Sequence, residues 1–284
     1  MQNDRTQYIR ILRWATFFIF FGRAYQHLFW DAPYRSFFWS ESILKLVIER
    51  LFSMSWQEYV TSPVTDSIIQ NIIKGNGIIY AISAVCTLLI QKSNARWFKY
   101  PLYLGGISLI ILSILITKNK FYHTAQFFEH SLQFGVPFLF TFIHSKFLVE
   151  NRLVLYLKIL TALTFASHGL YALGFYPVPG NFIDMLINIT GISEQTSITV
   201  LYIAGVLDLI IAVLLFVPKI SIYAAGYAFV WGLLTALARV VANFSMDFPL
   251  QSLHHSLYET LYRLCHALIP LYLFLEEKRK QKLR

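Results

Sequence analysis

Long apolar runs interrupted by single polar residues at helical spacing dominate the chain. Eight runs of about 20 mostly apolar residues, the length that ~30 Å of hydrocarbon demands, lie near 11–30, 72–91, 98–117, 122–144, 153–174, 198–217, 220–243 and 257–275. They predict an all-α polytopic membrane protein with eight transmembrane helices. The first run carries Arg23 and His27 into the apolar stretch and breaks at Asp31-Ala32-Pro33. A related stretch, FASHGLYALGFYPVPGNFI, returns from Phe165 onward. This recurrence divides the chain into a first four-helix unit, 1–150, and a second, 151–284. Four passages return a chain to its starting side, so the two units are expected to be parallel repeats.

Other segments depart from that pattern. In 40–53, SESILKLVIERLFS, apolar residues repeat every three to four positions while Glu41, Lys45 and Glu49 occupy the opposite face. It is too short and too charged to span, and predicts an amphipathic helix lying in the outer interface as an anchor or a lateral entrance. The fourth run places His123, Gln126, His130, Gln133 and Pro137 on one stripe, with Glu129 at its edge. The fifth aligns Thr161, Thr164, His168 and Tyr171, and the eighth His255, Glu259, Arg263 and His266. Asp208 lies near the middle of the sixth run, with Arg239 as its expected partner.

An ionisable residue inside the membrane costs a few kcal/mol and is a functional-site hypothesis by default. The blander alternatives are a seam of interhelical hydrogen bonds and, for Arg23, a long side chain reaching the interface. In an up-down bundle the first and last helices of each unit are neighbours. Arg23 and His27 are therefore expected beside Glu129 and His130, and His168 beside Glu259 and Arg263. The last two, at i and i+4, are expected to form an ion pair.

Composition agrees with a membrane chain: 56% of 284 residues are hydrophobic and only 14% charged, with mean hydropathy +0.54. The net charge of +9 collects at helix ends rather than in a basic patch, which argues against nucleic acid. With eight passages, Arg10, Arg13, Lys92, Arg96, Lys99, Lys146, Arg152, Lys219 and the basic C-terminal run fall on one side, while 176–196 and 244–256 contain no Lys or Arg. Both termini are then cytoplasmic. Arg35, Lys45 and Arg50 weaken this bias locally. Cys86 and Cys265 lie inside apolar runs, so no disulfide framework follows.

The strings FFGRAYQHLFWDAP, IIKGNGIIYA, FASHGLYALGFYPVPGNF and YIAGVLDLII resemble the DoxX-like membrane protein family, as two units in tandem covering about 11–275. Some members of that family are subunits of a thiosulfate:quinone oxidoreductase. The resemblance implies a bacterial inner-membrane location and a link to quinone, and carries over no catalytic residues.

Quinone chemistry needs an apolar slot together with groups that hydrogen-bond two carbonyls and move protons. Arg23, His27, Glu129, His130, His168, Glu259 and Arg263 supply those types as a candidate polar cluster. With no haem, flavin or iron–sulfur signature in the sequence, electrons would come from a redox partner subunit. Alternatives are a transporter or lipid-handling protein, against which the sequence shows no evident Gly/Pro-broken helix pair, and a structural or assembly subunit. No metal site is expected: His123/His130 and His254/His255 are not compact ligand pairs, and neither HExxH nor CxxC occurs.

Overall fold

The computed structural model describes residues 2–91, 93–144 and 150–282. Lys92, Lys146 and Arg284, which contribute to the charge bias, lie outside the described residues. The described chain is all-helical, and five helices are long and apolar enough to cross a membrane, making this an integral membrane protein.

The first helix, α1 (Gln2–Phe29), is followed by three short ones: α2 (Arg35–Phe38), α3 (Glu41–Leu51) and α4 (Trp56–Thr61). Arg35 pins this connection by bonding Asp31, Asp66 and Gln70 at 2.9–3.0 Å. The amphipathic segment forms α3 as its spacing requires. Only Ile48 of α3 is buried, while Leu46, Leu51 and Phe52 are exposed, so the protein does not cover its apolar side.

Helix α5 (Pro63–Leu89) starts nine residues before the second apolar run. The cause is local: Ser62 accepts from Thr65 N–H at 3.4 Å and Pro63 occupies the first helical position, where its missing N–H is harmless. Next come α6 (Ala95–Asn119), α7 (Thr124–Glu129) and α8 (Ser131–His144). The fourth apolar run is therefore two helices meeting at His130.

The second half is helical throughout as well. Helix α9 (Glu150–Ala172) is followed by α10 (Gly180–Thr190), α11 (Glu194–Leu214), α12 (Ser221–Ala242), α13 (Pro249–Arg263) and α14 (Cys265–Lys282). Here too the last apolar run is interrupted, at Leu264. Each break lies six or seven residues before a proline, Pro137 in α8 and Pro270 in α14.

Packing follows one order in both halves. Helix α1 packs on α5, α5 on α6, α6 on α8 and α8 on α1; correspondingly α9 packs on α11, α11 on α12, α12 on α14 and α14 on α9. The halves join where α1 meets α13 and α14, and where α9 meets α7 and α8. One apolar core, including Phe20, Tyr80, Phe140, Phe165 and Leu273, runs through both.

Close helix contacts depend on glycine. A Cβ at Gly22 would lie 2.6 Å from Tyr262 N of α13, and one at Gly205 would lie 2.9 Å from Gly169 O of α9. Both obstacles are backbone, which cannot swing aside. Gly75 has nothing within 4 Å of such a Cβ. Gly22→Ala and Gly205→Ala should each destabilise the protein by about 1–3 kcal/mol through overpacking, whereas Gly75→Ala should be neutral or stabilising. Detergent-solubilised unfolding curves check this; three equal effects would mean that α1–α13 and α9–α11 are not in such close approach.

Candidate functional site

Helical periodicity brings the polar stripes inward. Thr16, Ile19, Phe20, Arg23 and His27 follow one another along the buried side of α1, and Arg23 is only 2% exposed. Its guanidinium donates from Nε and Nη2 to Gln133 Oε1 at 3.1 and 2.6 Å and from Nη1 to Gln26 Oε1 at 2.7 Å. It also lies 3.9 Å from the Tyr262 ring centroid, so it is held by amide oxygens and a π face. Reaching the interface from this position is excluded by its burial. His27 bonds the Arg23 carbonyl through Nδ1 at 2.8 Å and packs edge-on against Tyr34 and Tyr80.

The expected meeting of Arg23 and His27 with Glu129 does not occur. Glu129, 5% exposed, turns toward the second half, where Arg263 Nη2 lies 3.2 Å from its Oε1 and His168 Nε2 3.8 Å from the same oxygen. Gln126 donates to its other oxygen at 2.8 Å. His130 is buried beside it, with Nδ1 2.8 Å from the Gln126 carbonyl. The i, i+4 pair of Glu259 with Arg263 is also replaced: Glu259 pairs with Arg239 at 3.6 Å, not with His168 or Arg263. The reason is lateral. Successive interior helices present carboxylate and guanidinium to each other across the contact, and the cross-helix geometry wins over spacing along one helix.

Both helix breaks sit at this junction. Glu129 and His130 end α7, and Arg263 ends α13, so the Glu129–Arg263 pair ties one interruption to the other. Freed backbone groups are satisfied locally. Leu132 N–H donates to Thr164 Oγ1 of α9 at 3.3 Å, and Ser131 Oγ bonds Thr164 Oγ1 and the Leu160 carbonyl, each at 3.0 Å. At the second break, Leu264 N–H donates to the Thr260 carbonyl at 3.0 Å, while Thr260 Oγ1 ties α13 to the Ala236 carbonyl of α12 at 2.8 Å.

Beside the ion pair lies a cavity of about 440 Å³, walled by α9, α10, α11, α12 and the α13–α14 junction. Apolar residues form most of its lining; the polar exceptions include His168, Asp208, Arg239, Arg263 and His266. The His168 and His266 rings are T-shaped at 5.5 Å. Asp208 is buried, and its polar neighbour is Trp231 rather than Arg239, the partner expected from sequence. Among the described residues six buried side-chain nitrogen or oxygen atoms lack a partner, and four of them belong to the cavity wall: Asp208 Oδ1, Arg239 Nε, Arg263 Nε and His266 Nε2. Each costs about 1–3 kcal/mol unless something bonds it, which concentrates unmet polarity around one apolar hollow.

Of the seven sequence-picked residues, Glu129, His168 and Arg263 meet directly, with Glu259 joined through Arg239. Arg23, His27 and His130 form the adjoining network of the first half, linked by Tyr262, which lies between Arg23 and Arg263 at 3.9 and 5.9 Å. Helix α10 falls within 176–196, outside the eight predicted runs. Its signal was present: Phe182, Met185, Leu186 and Ile189 recur at helical spacing, and Gly191 takes the left-handed φ of 71° that closes a helix. Among the described residues no group of three or more His, Cys, Asp or Glu is arranged to hold a metal ion.

No family model, curated protein or solved structure matches this chain.

Glu129→Gln should leave Arg263 uncompensated and cost about 3–5 kcal/mol. Combining it with Arg263→Gln should cost less than the sum of the two single changes, because the pair couples. Equilibrium unfolding of the four proteins measures the coupling; strict additivity would show that the pair does not join the two breaks.

Proposed function

We propose that the chain is an eight-passage membrane protein of two DoxX-like four-helix units, and that its cavity binds a quinone or another lipid-soluble ligand as part of a quinone-linked oxidoreductase or redox-accessory subunit. The identical packing order of the two halves supports the repeat. So does the length of the remaining elements: α1 has 28 residues, and α7 with α8, like α13 with α14, is long enough at ~1.5 Å per residue to make one passage. With eight passages the charge bias puts both termini in the cytoplasm and α3 and α10 at the outer face. The exposed apolar side of α3 then rests in lipid as an anchor.

The cavity carries the functional reading. Its volume suits a ring-sized ligand, its lining is apolar, and its few polar groups are of the kinds that hydrogen-bond carbonyl oxygens and relay protons. His168 backed by Glu129, and Arg239 backed by Glu259, would bind acceptor oxygens, while Asp208 across the cavity would accept from a hydroxyl. Reducing a quinone to a quinol takes two electrons and two protons. A partner subunit would supply the electrons, and the His168–Glu129 and Asp208 groups would pass protons.

The repeat offers a reason why this cavity lies in the second half. Setting Gly77 against Gly205 puts Tyr80 opposite Asp208, and Arg23 falls opposite His168. In the first half the corresponding space is filled by Tyr34, Tyr80 and His27, all but closed to solvent.

A second reading, a carrier or lipid-handling protein, gains from the two interrupted helices, which the sequence did not reveal and which are common where substrates bind at mid-membrane. A proton gradient across reconstituted vesicles separates the two, since a coupled carrier moves protons or substrate and a quinone site does not. A purely structural subunit would show neither behaviour.

Protein extracted gently should retain quinone. Added quinone at a hundredfold excess over Kd should stabilise it by about 2.7 kcal/mol, and His168→Gln should reduce that gain. Extracts free of quinone, together with an unchanged melting temperature at saturating quinone, would end the quinone reading.

A further inference from the structure

The same cavity has a mouth, and the mouth is apolar. Ile189 of α10, Val200 of α11, and Leu234, Leu237 and Val241 of α12 line the cavity and are also exposed on the outside of the protein. An opening rimmed by five large aliphatic side chains faces lipid more favourably than water, because exposing each to water forfeits the transfer free energy of its apolar surface. The polar groups lie on the other walls: His168 on α9, Arg263 and His266 at the α13–α14 break, and Asp208 fourteen residues into α11.

Helix α10 spans this mouth without being part of the core. None of its residues is buried. Phe182, Met185, Leu186 and Ile189 face the cavity, whereas Asn181, Asp184 and Asn188 are exposed on the other side. Pro177 and Pro179 precede it, Gly191 follows it, and Asn188 Nδ2 donates to the Ala242 carbonyl at 3.3 Å. Phe182 stands at the polar end: the Arg239 guanidinium is 5.7 Å from its ring centroid and the His168 ring 6.3 Å.

We infer that the site takes a tailed amphiphile, seated with its acceptor-bearing head at His168 and Arg239 and its apolar tail leaving through the α10–α11–α12 mouth into the bilayer, with Phe182 as the residue that sets which heads are admitted. This rests on the ligand-binding reading above and adds orientation, route and selectivity to it. A cavity of about 440 Å³ encloses a ring and a short stretch of chain, so a long tail has to pass the rim. Phe182 lies near both head-binding groups and must shift or share its face with the incoming head.

Two measurements on the full chain in lipid vesicles test this. The first needs no ligand. Ala238→Cys puts a thiol on the cavity wall, and the parent protein, whose Cys86 and Cys265 are buried, gives the background. A membrane-partitioning N-alkyl maleimide should label this thiol roughly tenfold faster than a sulfonated, impermeant one, the enrichment that about two methylenes of apolar transfer provide. Phe182→Ala should speed the apolar reagent several-fold, and Phe182→Trp should slow it. Equal rates for the two reagents, or no response to either Phe182 variant, would overturn the lipid-facing route.

The second measurement compares quinones sharing one ring and carrying successively longer isoprenoid tails. Binding should strengthen with the first units and then stay level, because later units lie outside the rim. Loss of binding once the tail exceeds the cavity would overturn the tail-out orientation. If no quinone binds at any tail length while labelling keeps its preference, the quinone assignment fails and the route stands.

Discussion

The interior of this protein is arranged around the ion pair between Glu129 and Arg263. Neither residue can face lipid cheaply, and each finds its opposite charge on a helix of the other half, Glu129 having only the Gln126 amide within its own. Each lies at the end of a helix that stops in mid-bundle, so the pair fixes two interruptions against each other and, through them, one half of the chain against the other. Removing either charge would leave its partner alone in a low-dielectric interior, which is why the contact constrains the structure more than its modest 3.2 Å geometry suggests.

Around that pair the two halves pack their helices in the same order but fill their interiors differently. In the first, Arg23 is satisfied by Gln133, Gln26 and the Tyr262 ring, while tyrosines and His27 occupy the space beside it. In the second, His168 and Asp208 line an apolar hollow with a polar wall. Tyr262 lies between the two arginines, its ring 3.9 Å from the Arg23 guanidinium and 5.9 Å from that of Arg263. The interruptions bear on that wall: an unbroken helix would carry Arg263 and His266 past the cavity on a fixed stripe, whereas a break allows the wall to turn.

Much of the fold was legible because hydrophobic run length and helical spacing are local properties. The apolar runs correspond to helices, the 40–53 segment forms α3, and the inward turn of Arg23 and Glu129 follows from what hydrocarbon refuses. Helix α10 could have been found from its apolar period and its closing glycine, but a segment free of Lys and Arg between two strong membrane runs hides a weaker pattern. The breaks at His130 and Leu264 were not legible, since each prolyl residue stands nearly two turns away from the interruption, and at the first a hydroxyl of another helix, Thr164, takes up the Leu132 N–H.

By itself the sequence determined that the chain is helical and membrane-bound, and that Arg23, Glu129 and His130 turn inward, because burial and the 3.6-residue turn depend on near neighbours; His255, aligned with Glu259 and Arg263 by spacing, is exposed instead. Which of those residues meet was decided by tertiary structure alone. Glu129 prefers Arg263 to Arg23, Glu259 prefers Arg239 to Arg263, and the cavity opens on one half only. Those outcomes depend on distances between helices far apart in sequence and on the volume of the side chains filling the space between them.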